Sequence, residues 1–447
     1  MARDLQRTYR GRAWREEDPA DRRGLHEQAR TERAVLVASL NCSPVEEADR
    51  LAEMGDLLGT AGATVVHRVV QHRDRPDPRL YLGRGRLDEL AEWVTENSPD
   101  LVVCEGDLSA GQQRHLEDRL KTRVVDRTGV ILDIFALHAR SAEGKLQVEL
   151  AQMEYSYSRQ EGLWQHLERL GGGVGTRGPG ESQLESDRRM IRSRMGVLRT
   201  RIAEVANSRE TMREERMASA DTRVALAGYT NAGKSSLMNA LTGADVDVDD
   251  ALFETLDATT RAFSKDGMKV LVSDTVGFIR HLPHQLVESF RSTLDEVRDA
   301  HLIVHVADAS EDDEGRAARA AAVEEALDQV GAHDVPRLLV LNKVDLLDEE
   351  ERDALLHRHR HAILTSATTG EGLDDLRDRL LTTARARWER VELAVPYPRG
   401  DVVSAVYAHG RDVTQEAGAD GTVIRALMAP ADAARVRALL AGGATRG

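Results

Sequence analysis

The 447-residue chain carries 61 Lys and Arg against 76 Asp and Glu, a formal net charge of −15, with 41% hydrophobic and 31% charged residues. That length suits about three domains, the composition is that of a folded and highly charged chain rather than a disordered one, and a negative summed field argues against indiscriminate coating of nucleic acid. The opening stretch MARDLQRTYRGRAWREEDPADRR lacks the apolar centre of a signal peptide, and no run approaches the ~20 apolar residues that span a bilayer. The sequence therefore reads as cytoplasmic, with peripheral membrane contact left open. Cys42 and Cys104 end short apolar runs without metal-ligand spacing, and both are expected buried and reduced.

Residues 1–30 are polar without a sustained period and read as a loosely ordered arm. From Ala34, apolar runs at Ala34–Leu40, Thr64–Val70, Leu101–Cys104 and Arg123–Val125 alternate with helix-patterned stretches at Val45–Leu58, Leu87–Asn97 and Ala110–Leu120. This βαβ series predicts an N-terminal parallel α/β domain over 31–130. Residues 131–219 are expected to form a helical hairpin, with helices over Gly144–Arg169 and from Glu181 to about Ala218. In the second helix Leu184, Ile191, Met195, Leu198, Ile202 and Val205 draw one apolar stripe, which fits packing on a neighbouring helix.

Between those helices lies GGGVGTRGPG, residues 171–180. Gly173–Gly178 matches G-x-G-x-x-G, yet no buried strand precedes it, and an arginine-bearing helix occupies the place where a second strand with an acidic residue should stand. It is expected to be a flexible tip, not a nucleotide site. Arg177, Arg188, Arg189 and Arg192 are candidate RNA contacts, joined along the arm by Arg194, Arg199 and Arg201; the competing reading is a solvated charged helix with a loose link.

Strand patterns return at Arg223–Ala227, Val270–Ser273, Leu302–Ala307, Arg337–Leu341 and Ala362–Leu364, and the sequence closes with a small α+β segment, 391–447, bearing a helix at Ala431–Leu440. After the first of these strands, Gly228-Tyr229-Thr230-Asn231-Ala232-Gly233-Lys234-Ser235 sits between strand and helix, the context a phosphate loop requires. Backbone N–H groups converge there on phosphate, Lys234 reaches the β- and γ-phosphates, and Ser235 ligates Mg²⁺, with Ser236 beside it. Asp274 ends a strand, where it holds Mg²⁺ through water, and the Gly277 N–H senses the γ-phosphate. Asn342-Lys343-Val344-Asp345 follows another strand, and a carboxylate at Asp345 accepts both donors of guanine, a pair that adenine lacks. Ser366 and Ala367 complete the base pocket. Within Phe253-Glu-Thr255, Thr255 is the preferred mobile Mg²⁺ ligand over Thr259 and Thr260, and Phe253 is placed with the GTP contacts.

With these motifs in order, residues 221–385 resemble a translation-factor-class P-loop GTPase with a doubly wound, mostly parallel sheet. YLGRGRLDEL (81–90), VVDRTGVILDIFALHARSAEGKLQVELAQ (124–152), GGGVGTRGPGESQLESDRR (171–189) and VPYPRGDVVSAVYAHG (395–410) narrow the resemblance to the HflX family. It implies a monomeric, Mg²⁺-dependent, GTP-hydrolysing factor with Lys234, Thr255 and Gly277 in catalysis. Its partner would be the large ribosomal subunit, near whose peptidyl-transferase centre the hairpin would enter, and its task the separation or rescue of stalled ribosomes. Phe278 stands where Ras-like enzymes keep a water-orienting glutamine, so slow intrinsic hydrolysis is expected. Asn231 matches an asparagine that helps hold K⁺ in related GTPases, the alternative being a residue that caps the loop. Two other functions stay open at this point: a nucleotide-gated ribosome-binding switch with negligible hydrolysis, and an ATP-linked RNA remodelling enzyme built on the N-terminal sheet.

Overall fold

The computed structural model describes residues 31–170, 188–206, 221–243, 252–253, 255, 259–265, 268–280 and 291–442. They fall into two compact units, Met1–Ile202 with Asp249–Asp257 and His281–Phe290, and Ala203–Val248 with Ala258–Arg280 and Arg291–Gly447.

In the first unit β1 (Glu32–Leu40), β2 (Ala63–His72), β3 (Leu101–Cys104) and β4 (Arg123–Asp126) form a parallel sheet of order β2-β1-β3-β4. Helices Pro44–Thr60, Arg84–Asn97 and Ala110–Leu120 make the crossovers. β1 is buried on both faces from Ala34 to Leu40, so its sequence is a continuous apolar run rather than an alternation. Ser109 caps the third crossover helix through a reciprocal capping box with Gln112. Cys104 is buried and Cys42 only half-buried; both thiols are free. The expectation that Cys42 is buried is thus corrected, because it lies just beyond the buried run of β1.

A helix over Arg127–His138, unmarked in the sequence pattern, precedes the long helix Ala142–Leu170. The helix at 188–206 packs on the latter through Met195 and Leu198 against Leu150, with Ile191 and Ile202 flanking, as the apolar stripe predicts. Leu184, Arg177, the tip 171–180, residues 181–187 and residues 207–218 lie outside the described residues.

The second unit is built on a six-stranded sheet of order β10-β9-β8-β5-β7-β6. β5 (Thr222–Gly228), β7 (Met268–Asp274), β8 (Leu302–Asp308), β9 (Arg337–Asn342) and β10 (Ile363–Leu364) are parallel, and β6 (Thr259–Lys265) is an antiparallel edge. β5 and β8 lie side by side inside the sheet and are almost wholly buried, so their carboxyl ends make a fixed floor for the loops that follow. The same unit contains a three-stranded antiparallel sheet of order β11-β13-β12, made of β11 (Glu389–Pro396), β12 (Arg411–Ala417) and β13 (Gly421–Met428). Helices Gly400–His409 and Pro430–Gly442 pack against it through Val402, Val406 and Val436. Among the described residues no helix is long and apolar enough to cross a membrane.

Candidate functional site

β5 ends at Gly228, and the loop that follows opens the helix Lys234–Thr242. Gly233 has φ +86° and a Cβ there would lie 2.3 Å from Asn342 Nδ2, so only glycine closes the loop without displacing its neighbour. Asn231 occupies the exposed apex at φ 60°, a left-handed conformation that asparagine tolerates better than most residues. Lys234 is folded along the loop: its Nζ donates to Gly228 O (3.1 Å) and Tyr229 O (2.9 Å). Burial pushes this ammonium down to about 8, against the opposite pull of Asp274. The Thr230 hydroxyl is buried and finds no partner among the described residues.

The Ser235 Oγ donates to the Asp274 carboxylate at 2.7 Å, which brings the two expected metal-binding side chains together from the helix start and the end of β7. Gly277 lies next to both loop and lysine, because a Cβ there would sit 2.8 Å from Thr230 Cγ2 and 3.2 Å from Lys234 Nζ. The Phe278 side chain is 1% exposed and cannot orient a solvent molecule.

On the base side, the Asn342 amide donates to Ala232 O (3.0 Å), while its carbonyl oxygen accepts from Ala367 N–H (3.2 Å) and the Thr365 hydroxyl (3.3 Å). This buried side chain ties the phosphate loop to the Ser366-Ala367 loop. Lys343, at φ 67°, pairs with Asp308 at 2.7 Å. Asp345 stands exposed in the 3₁₀ turn Val344–Leu346, its carboxylate accessible to a base. The Ser366 Oγ accepts from Thr369 N–H (3.0 Å) and shapes its own loop. Sequence reasoning passed over Asp308 and Thr365, although Asp308 closes the apolar strand β8 much as Asp274 closes β7.

The structure groups Phe253 and Thr255 with the first unit. There Leu252 N–H donates to the Thr60 hydroxyl (3.2 Å), and the buried Phe253 ring meets Phe135 edge-on at 4.7 Å between centroids. On the arm, Arg194 and Arg199 pair with Glu149 and Glu154 of the facing helix at 2.9 and 2.7 Å. Those two arginines are thus neutralised within the helix pair, which narrows the basic surface. Arg188 Nε donates to the Tyr157 hydroxyl (2.8 Å), the guanidinium of Arg192 lies 5.4 Å from the Tyr157 ring centroid, and Arg189 and Arg192 are exposed.

A phosphate loop between β5 and its helix, a hydroxyl and carboxylate pair beside the buried lysine, and an Asn-Lys-x-Asp turn after β9 define a P-loop GTPase. Family models described as "GTP-binding GTPase N-terminal", "GTP-binding GTPase Middle Region" and "50S ribosome-binding GTPase" match residues 48–136, 138–216 and 223–343. A GTPase HflX of Lacrimispora saccharolytica is 42% identical over 398 residues, spanning 88% of this chain and 93% of that protein. The GTPase HflX of Escherichia coli K12 is 41% identical over 379 residues, 84% and 88% of the two chains. A solved structure of a GTP-binding protein from Sulfolobus solfataricus in complex with GDP covers 79% of this chain and 98% of its own, at 22% identity and a TM-score of 0.42. The chain belongs to the HflX family of GTPases, and its reaction is the hydrolysis of GTP.

Proposed function

We propose that this GTPase docks on the large ribosomal subunit in the cytoplasm and dissociates or rescues stalled ribosomes. The observation that carries the proposal is the match of residues 223–343 to a model described as a 50S ribosome-binding GTPase. The helix pair in the other unit supports it. Arg189 and Arg192 are exposed in the part of the second helix nearest in sequence to the glycine-rich stretch, whereas Arg194 and Arg199 further along are paired with glutamates. Exposed guanidinium groups suit phosphate contacts in ribosomal RNA.

Ser235 and Asp274 present two hard oxygen donors 2.7 Å apart, a donor set that fits Mg²⁺. In our reading Ser235 binds the ion directly and Asp274 through water. When bound, Mg²⁺ neutralises charge on the β- and γ-phosphate oxygens. The chain supplies the rest: loop N–H groups from Gly228 to Ser236 cradle the phosphates, Lys234 spreads the charge, the Gly277 N–H meets the γ-phosphate, and Asp345 selects guanine. Asn231 is the candidate to hold K⁺ beside the phosphates, and a faster turnover in K⁺ than in Na⁺ at matched ionic strength is the expected sign. Equal rates in the two salts would remove the potassium role alone.

Cosedimentation of the full chain with separated ribosomal subunits tests the central proposal. With a non-hydrolysable GTP analogue it should pellet with the large subunit, and with GDP much less. Absence of pelleting under both conditions would overturn ribosome docking.

A further inference from the structure

Tyr229 is the first residue of the phosphate loop after β5, and its contacts exceed what phosphate binding requires. On either side of it the backbone is zipped to Phe278: Phe278 N–H donates to Gly228 O (3.1 Å), and Thr230 N–H donates to Phe278 O (2.8 Å). The Tyr229 hydroxyl adds a third tie by accepting from Arg280 N–H at 2.9 Å. Its ring is 6% exposed and lies 5.3 Å beneath the guanidinium of Arg319, which is itself paired with Glu311. A cation over an aromatic face, held in place by a carboxylate, fixes the ring and therefore its hydroxyl.

These three hydrogen bonds hold the segment just after Gly277 to the loop just before Lys234. Gly277 has little room to move, since even a Cβ would meet Thr230 and Lys234. Hydrolysis in this chain proceeds without a glutamine at position 278, where a buried Phe278 stands instead. We infer that Tyr229 is a positioning residue for hydrolysis: its hydroxyl fixes Arg280, and through Phe278 keeps the Gly277 N–H aligned with Lys234. Backbone preorganisation then supplies part of what a glutamine side chain supplies elsewhere. The inference rests on the assignment of the Gly277 N–H to the γ-phosphate.

Tyr229→Phe keeps the ring under Arg319 and removes the hydroxyl that accepts from Arg280 N–H. Loss of a hydrogen bond used in the transition state should lower kcat roughly tenfold. KM for GTP and affinity for GDP should stay within about twofold, because the loop grips phosphate through its backbone. The melting temperature should be unchanged. Unaltered kcat would overturn the proposal, as would a fall in kcat that merely tracks a lowered melting temperature. Gly277→Ala is the companion variant, and it separates the two layers of the argument. The alanine keeps the N–H but forces its Cβ against Thr230 and Lys234, so normal GTP hydrolysis would show that alignment at Gly277 does not matter and overturn the premise; if it is inactive while Tyr229→Phe is fully active, only the role of Tyr229 fails.

Discussion

The Ser235 hydroxyl and the Asp274 carboxylate meet at 2.7 Å, although one opens a helix and the other ends a strand 39 residues later. The contact is direct, so a metal ion that uses Ser235 as a ligand must replace this hydrogen bond by a metal–oxygen bond and leave Asp274 to act through water. Ser235→Ala should therefore leave Mg²⁺-free GDP binding nearly intact but abolish most of the tightening that Mg²⁺ gives to GTP, at least ~10-fold. Nucleotide titrations with Mg²⁺ and with a chelator measure this. Equal Mg²⁺ dependence in variant and parent would remove Ser235 from the metal site.

Lys234 makes a proton-linked prediction. Its ammonium, pushed by burial to about 8 from an ordinary 10.5, loses its proton in the nucleotide-free protein between those values. Bound phosphates restore it. GTP binding should therefore take up close to one proton at about pH 9 and almost none near pH 7, where the lysine is already charged. The folding consequence has the opposite sense: the unfolded chain holds the extra proton between about 8 and 10.5, so this group's contribution to stability rises with pH across that window. Calorimetric titration in buffers of different ionisation enthalpy reports the uptake, and its absence at pH 9 would show that Lys234 stays charged in the free protein.

Much of this was legible in the sequence, for identifiable reasons. Buried strands such as β1 and β5 are apolar on both faces, and the nucleotide motifs are local in the chain. β6 was not legible, because an edge strand with mostly exposed residues, TTRAFSK, carries neither an apolar run nor an alternation. The helix Arg127–His138 was missed for the reverse reason: it is buried from Arg127 to Leu132 and again at Ile134 and Phe135, so it shows almost no polar face. Asn342 was legible as a motif residue, but its ties to Ala232, Thr365 and Ala367 depend on tertiary packing. Likewise, the arginine count of the arm gave no sign that Glu149 and Glu154 on the facing helix neutralise two of them.

Phe278 poses a simple engineering question, whether restoring glutamine restores speed. The ring is 1% exposed and its backbone is held to Gly228 and Thr230, so a glutamine there would be buried with an unsatisfied amide. Phe278→Gln should destabilise the nucleotide-binding unit by about 2–4 kcal/mol and leave kcat no higher than the parent. Denaturant unfolding and single-turnover hydrolysis check the two parts. A faster variant would mean that the segment rearranges to expose position 278 in the GTP state.

Guanine selection is tested at Asp345, which stands exposed at the turn after β9. Asp345→Asn exchanges an acceptor for a donor and should weaken GTP by roughly 100-fold or more while improving xanthosine triphosphate, whose base offers a carbonyl where guanine offers an amine. Competition against a fluorescent guanine nucleotide measures both affinities. Unchanged GTP affinity would place the base elsewhere.

The last prediction concerns the root of the arm. Asp126 ends β4 and caps the helix Arg127–His138 by accepting from Gly129 N–H (3.0 Å); it also accepts from Leu108 N–H (3.0 Å) and the Tyr155 hydroxyl (2.6 Å), and it pairs with Arg159. Tyr155 and Arg159 both belong to the long helix Ala142–Leu170, and the Arg159 guanidinium lies 3.9 Å from the Tyr155 ring centroid. One buried carboxylate therefore joins the N-terminal sheet, a loop and the base of the arm. Asp126→Asn keeps the size but leaves the Arg159 charge in a mostly buried setting, where breaking an ion pair costs about 3–5 kcal/mol. Calorimetry should show the first unit unfolding at a clearly lower temperature. GTP affinity should stay within about twofold, since the phosphate loop and base turn belong to the other unit. An additional Arg159→Met change should recover part of the lost stability, because it removes the stranded charge and retains an apolar stem. If Asp126→Asn melts like the parent, the carboxylate is not what anchors the arm to the sheet; if the double variant melts no higher than the single one, the loss comes from the helix cap and the Tyr155 bond rather than from the ion pair.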